Sequence, residues 1–282
     1  MKPEPVFTHF PSRKILMKES PAEEFARLQI GEATLDASIA MPPLPQSFSI
    51  RNEQTSVEDQ GSAGTCTSFC VVACLEHIHQ RDLSEAQVTH EAERAYDNCT
   101  EGLAMIHAYK ICNSPGAVDE ALWSYDPNQI CWTTPPNIGG AARYRFGNIA
   151  YVYNRPRSQM LSSMSKASTS PMSPGLPLTL AIQQQLFSRR RNVSVSVPVV
   201  WAAWPWTGVI TMPPPALMEE FAQTMSPPNT SGWHCIAICG WDNATARFLF
   251  KNSWGPYWGD KGYGTIPYQY IEAFSDTGMI GW

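Results

Sequence analysis

The sequence predicts an α+β chain in which a helical lobe is followed by a strand-rich lobe. Three observations carry this expectation. The run Cys66–His79 holds no helix breaker and repeats apolar residues at helical spacing, and two further helical stretches follow it before residue 113. From about Tyr144 onward the apolar residues instead fall into short β-rich runs bounded by Pro, Gly and Asn. With 43% hydrophobic and 16% charged residues among 282, the chain has ample apolar surface to offset the entropy of ordering it.

Taken in order, residues 1–43 are charged and punctuated by proline, with one weak helical stretch at Glu23–Leu28. Met41-Pro-Pro-Leu-Pro45 forces extended backbone, so 1–43 is expected to be an N-terminal extension or short prosegment laid over, or hanging off, the body, which spans 44–282. The helical lobe is expected over about 50–141. Its first helix follows the glycine-punctuated Gln60-Gly-Ser-Ala-Gly-Thr65. Others are predicted from Ser84 to about Asp97 and from Leu103 to Cys112, before the turn at Asn113-Ser-Pro-Gly116. The strand-rich lobe, about 142–282, is expected to contain strands at 146–153, 193–200, 235–241, 248–251 and 262–266, with a helix at 178–187. A Ser/Met/Pro tract at 158–175 reads as a flexible insertion.

Composition excludes several classes of function. A formal charge of −5, with no basic run longer than Arg189-Arg-Arg191, supplies no footprint for nucleic acid. No apolar run approaches the roughly 20 residues that span a bilayer, and Met1-Lys-Pro-Glu4 does not open a signal peptide. The chain is therefore expected to be a monomer with no nucleic-acid or membrane partner, cytoplasmic or exported without a classical signal. The eight cysteines are expected to be mostly reduced, with their pairing undecided.

Cys66 stands where a glycine-rich turn feeds a helix N-terminus, a position that favours a thiolate. Its plain alternative is a small buried hydrophobe, as for Cys70 and Cys74 on the same face. A cysteine nucleophile needs a base. His77 and His79 lie roughly 16 to 20 Å along the helix axis and cannot reach it. His234 opens the apolar strand Cys235–Gly240, where a buried element holds its ring. Asn252 follows the next predicted strand, so a hairpin would bring its amide beside His234 to fix the imidazole tautomer. Trp254 is placed to shield that bond from water. The side-chain amide of Gln60 can join the Cys66 N–H as an oxyanion donor.

Three blocks, Gln60-Gly-Ser-Ala-Gly-Thr-Cys66, Gly232-Trp-His234 through Asp242, and Lys251-Asn-Ser-Trp254 through Gly264, resemble the signature blocks of papain-like cysteine peptidases, peptidase family C1. The resemblance runs from about Leu44 to Ile271 and takes in Glu76 and Trp123-Ser-Tyr125. It implies a papain-like two-lobed fold: a helical left lobe, an antiparallel β-barrel-like right lobe and an active-site cleft between them. It also implies Cys66 as nucleophile, His234 as general base and acid, Asn252 as orienter, Gln60 as oxyanion donor and Trp254 in support. Gly102, Leu103, Ala104 and Trp233 align with substrate-binding positions.

Two positions depart from the family pattern: Ala63 stands where a cysteine is usual, which leaves its usual partner Cys99 as a free thiol, and Thr67 replaces an aromatic. The separation of Cys66 from His234 is long for the family, and the 158–175 tract accounts for the excess. The short N-terminal segment resembles the compact bacterial, xylellain-like branch.

The implied function is a cysteine endopeptidase acting on polypeptides through a thioester, with no cofactor and no metal. Residues 1–43 are expected to act as a plug that autoinhibits it, as in a zymogen, the alternatives being a removable prosegment or a passive tail. The alternative on the same machinery is an acyltransferase, transamidase or leader-peptide maturation protease. A rival of another class is a metal-binding module on Cys66, Cys70 and Cys74, whose single-helix spacing differs from the usual zinc knuckle.

Overall fold

The structure is a computed structural model that describes residues 18, 43–97, 102–128, 134–155, 177–217 and 232–282. Downstream of the 41–45 prolines the chain forms a three-residue strand, β1 (Ser47–Ser49). The breaker-free run after Thr65 folds as α1 (Cys66–His79), which ends where Gln80 turns left-handed at φ 51°. Twelve of its residues are buried, Cys66 to His77, so α1 is a core helix with no solvated face over most of its length.

Ser84 caps the next helix, α2 (Glu85–Ala92), by accepting a hydrogen bond from the Gln87 N–H at 3.0 Å. The predicted helix to Asp97 is completed by a π-type turn, Glu93–Asp97. α3 (Met105–Asn113) packs on both α1 and α2.

Beyond residue 148 the chain supplies β2 (Ile149–Asn154), α4 (Pro177–Arg189), β3 (Val193–Val199), β4 (Gly232–Asp242), β5 (Arg247–Lys251), β6 (Tyr263–Pro267), α5 (Tyr268–Phe274) and β7 (Thr277–Gly281). The strands form one antiparallel sheet in the order β2-β7-β3-β4-β5-β6, with β1 also paired to β4. The architecture is thus α+β. β1 and β7 went unread in the sequence, because Ser47-Phe-Ser49 is too short and Thr277-Gly-Met-Ile-Gly281 too glycine-rich to register as strands. Gly240 is required where β1 crosses β4, since a Cβ there would stand 2.7 Å from the Phe48 carbonyl oxygen.

The central strands are buried on both faces, serines included. Ser194 is satisfied by the Tyr109 hydroxyl at 2.9 Å and the Cys74 Sγ at 3.3 Å. α1 lies across β3 and β4, so the helix that begins at Cys66 packs on the strand that carries His234. A buried ion pair ties the other end of α1 to β5. Glu76 accepts from the Thr55 hydroxyl at 2.6 Å and from the Leu83 N–H at 2.9 Å, and Lys251 Nζ stands 3.8 Å away.

Of the N-terminal extension only Lys18 and Pro43 are described; the 158–175 tract and Cys99 lie outside the described residues, as does the Glu23–Leu28 stretch.

Candidate active site

Cys66 is the first residue of α1, fully buried at 0% exposure, and its helix begins directly out of the Gln60–Thr65 loop. Thr65, the N-cap residue, makes no side-chain cap to the helix. One turn on, Cys70 stands beside Cys235 of β4, and burial raises the pKa of both thiols. The residue before Cys235 is His234, so the first turns of α1 rest against the end of β4 where the imidazole stands.

His234 sits opposite Val197 in the β3–β4 register and is also fully buried. Its Nε2 donates to Asn252 Oδ1 at 2.8 Å. That amide oxygen also accepts from the Ser253 N–H at 2.9 Å, which fixes its orientation with the oxygen toward the ring. Because an amide oxygen only accepts, the imidazole proton is held on Nε2, and Nδ1 becomes the atom able to exchange a proton. Trp254 lies over the imidazole at 4.9 Å between centroids and 28° between planes, and Trp204 meets the ring edge-on at 5.9 Å. Both indoles are buried, so the His234–Asn252 bond lies in a dry aromatic box where it is electrostatically strong.

Gln60 is tied to the same segment. Glu58–Gln60 runs beside Ser253–Gly255: Gln60 N–H donates to Ser253 O at 2.9 Å and Gly255 N–H to Glu58 O at 3.1 Å. An antiparallel bridge joins Asp59 and Trp254. The Gln60 side chain accepts from the Ser253 hydroxyl at 2.6 Å through Oε1 and donates to Ala63 O at 2.8 Å through Nε2. Oε1 is thereby turned toward Ser253, which leaves the NH₂ end facing the loop that leads to Cys66. Its second hydrogen is not needed for the Ala63 bond.

Gly102, Leu103 and Ala104 are buried, with Gly102 at φ 88°, a left-handed conformation suited to glycine. The Leu103 carbonyl accepts the Thr67 hydroxyl at 2.9 Å and the Lys18 backbone N–H at 3.3 Å. Trp233 is buried opposite Pro198.

The other histidines among the described residues make structural contacts. His77 bonds Glu53 O and Arg190 O, His79 bonds Arg145 O, and the rings of His90 and His107 pack on Trp123 and Tyr96. Cys70, Cys74, Cys112, Cys235 and Cys239 are free thiols whose pKa burial pushes up, to about 12 for Cys239. Among the described residues no three His, Cys, Asp or Glu side chains are arranged to hold a metal ion, and no helix is long and apolar enough to cross a membrane.

Sequence reading did not assign Ser253, Thr67 and Trp204 to the site. Ser253 could have been found from its place beside Asn252. Thr67 and Trp204 act through contacts distant in sequence, which no local pattern reveals.

Residues 219–274 match the model of the papain family cysteine proteases. The chain is 22% identical to an uncharacterized peptidase C1-like protein of Acanthamoeba polyphaga mimivirus, over 76% of this chain and 64% of that one. It is 25% identical to cysteine proteinase EP-B 1 of Hordeum vulgare, over 87% of this chain and 58% of that one. The chain thus spans roughly three fifths of the length of those relatives. Among solved structures, xylellain, a cysteine protease from Xylella fastidiosa, superposes with a TM-score of 0.63 at 16% identity, covering 98% of each chain. A Carica candamarcensis cysteine protease in complex with E-64 superposes at 0.55 and 18% identity, over 84% of this chain and 98% of that one. The chain thus shares the fold of these proteases, and over residues 219–274 its sequence is similar to the papain family cysteine proteases.

Proposed function

We propose that the chain is a cysteine endopeptidase that cleaves peptide bonds through a thioester. The observation that carries this reading is the His234 Nε2–Asn252 Oδ1 bond of 2.8 Å beneath Trp254. An amide in that place fixes the tautomer without introducing a carboxylate that would compete with a thiolate for the imidazolium. In this reading the Cys66 thiolate attacks the scissile carbonyl. The oxyanion is held by the Gln60 amide and the Cys66 N–H, protonated His234 expels the amine, and water then hydrolyses the thioester. Gly102, Leu103, Ala104 and Trp233 are proposed to contact the polypeptide substrate.

We also propose that the N-terminal segment restrains the site. Support comes from the Lys18 N–H, which donates to the Leu103 carbonyl beside the proposed subsite. The test compares full-length chain with Lys18→Pro, which deletes that donor, and with Cys66→Ala, on a peptide substrate with and without an added amine. Hydrolysis that needs Cys66 and rises in Lys18→Pro is the expected result. Equal turnover in Cys66→Ala refutes the peptidase. Unchanged rates in Lys18→Pro refute the restraint, and transfer to the amine in place of hydrolysis reassigns the acyl acceptor.

A further inference from the structure

The turn Glu120–Leu122 delivers Tyr125, 59 residues beyond Cys66 in the sequence, to the loop that carries the nucleophile. The Tyr125 hydroxyl donates to the Gln60 backbone carbonyl at 2.8 Å and lies 2.8 Å from Thr65 Oγ1. Since the phenol has one proton and gives it to Gln60, the threonine hydroxyl is the donor to Tyr125. Burial raises the pKa of this phenol, which keeps that proton in place. The ring packs edge-on against Phe69 of α1 at 4.7 Å, and the Tyr125 N–H donates to Glu120 Oε1 at 2.6 Å. Tyr125 is therefore fixed on three sides.

Two consequences follow from these bonds. The ends of the Gln60–Thr65 loop are joined through one oxygen atom, so Gln60 and Cys66 are spaced by a rigid link. Thr65, whose residue type and position suit it to cap α1, spends its hydroxyl on Tyr125 and makes no cap. The first turn of α1 thus keeps its N–H dipoles directed at the place where the reaction develops negative charge.

We propose that Tyr125 is a positioning residue for acyl transfer: by bridging Gln60 and Thr65 it sets the two oxyanion donors at a fixed spacing and holds the capping hydroxyl away from the helix that bears Cys66. This rests on the peptidase reading above.

The test uses full-length Tyr125→Phe, Thr65→Val and the double variant. Two readouts are followed: steady-state peptide hydrolysis, and the pH midpoint of Cys66 alkylation resolved by mass spectrometry. Phe keeps the ring contact with Phe69 while removing the bridge. Tyr125→Phe is expected to lower kcat about 10-fold with KM within twofold. It frees Thr65 to cap α1, so the Cys66 midpoint is expected to rise by roughly 0.2–0.7 pH units, the size of a helix-terminus effect. Adding Thr65→Val removes the cap and should return the midpoint to the wild-type value while kcat stays low. A purely structural role would show no such rescue. Should Tyr125→Phe fail to fold, Thr65→Val alone carries the test, with kcat lowered several-fold and the midpoint unmoved.

Wild-type kcat in either single variant, or a midpoint that the double variant does not restore, overturns the proposal. A wild-type chain with no Cys66-dependent hydrolysis overturns the peptidase reading and this proposal with it, so the two failures are distinguishable.

Discussion

The first turn of α1 and the two turns after it carry the same residue type on the same helix face, yet they are built for opposite ends. Cys70 and Cys74 are sealed in the core against Cys235, Ser194 and Tyr109, and burial raises their pKa. Cys66 instead follows a loop held by Gln60, Tyr125 and Ser253, at a helix end that receives no side-chain cap. On the proposed reading, position along the helix and the polar ties of the preceding loop, not the amino acid, would separate a reactive sulfur from an inert one.

Substituting the two kinds of cysteine gives the largest expected contrast. Cys66→Ala should reduce kcat by about 10⁴-fold or more, as loss of a nucleophile does in other acyl-transfer sites. Cys70→Ser should leave turnover within a few-fold and lower the thermal midpoint, since a hydroxyl then replaces a buried thiol. Comparable losses of activity in both variants would erase the distinction.

Next in size is the loop itself. Gln60→Ala should lower kcat on the order of 10²-fold with the melting curve little changed, because one oxyanion donor is typically worth about 2.7–4 kcal/mol. A loss below threefold removes Gln60 from that role.

A smaller effect is expected at Thr67, whose hydroxyl holds the Leu103 carbonyl at 2.9 Å. Thr67→Val should raise KM several-fold with kcat nearly constant, and Thr67→Ser should restore it. An unchanged KM would mean that the 102–104 loop keeps its place without this bond.

The smallest effect concerns the carboxylates behind Tyr125. Burial raises Glu120 from 4.5 to about 7, and it raises Glu85 and Asp82 in the same direction. A carboxyl with a raised native pKa binds more protons folded than unfolded, so its contribution is greatest below about 4.5 and is lost as pH climbs through about 7. The melting temperature should therefore fall between pH 5 and 7.5, and Glu120→Gln should flatten part of that slope. A Glu120→Gln slope equal to wild type would show that this carboxyl is not coupled to folding.

Much of the site was legible because its chemistry is written in short blocks. Gln60 precedes Cys66 in one glycine-rich loop, His234 opens an unmistakable apolar strand, and Asn252 follows the next strand closely enough for a hairpin to pair them. The α+β class was equally readable from the change in periodicity near Tyr144. What could not be read are the ties between blocks. The Ser253–Gln60 and Tyr125–Thr65 bonds join residues 193 and 60 positions apart, and nothing local in either segment announces the partner. The same holds for Trp204, whose place at the edge of His234 depends on how β3 and β4 pair. Tyr125 was noticed only as part of a resembling Trp-Ser-Tyr block, without its mechanical role.

The most direct test of the account is the pH dependence of alkylation measured separately at each cysteine of the native chain. Cys66 should react well below pH 7 while Cys70, Cys74, Cys112, Cys235 and Cys239, whose pKa is raised, stay unmodified. A Cys66 that reacts no earlier in pH than an ordinary thiol near ~8.5, with no acceleration when the Lys18 contact is removed, would contradict the thiolate–imidazolium pair on which the proposed chemistry depends.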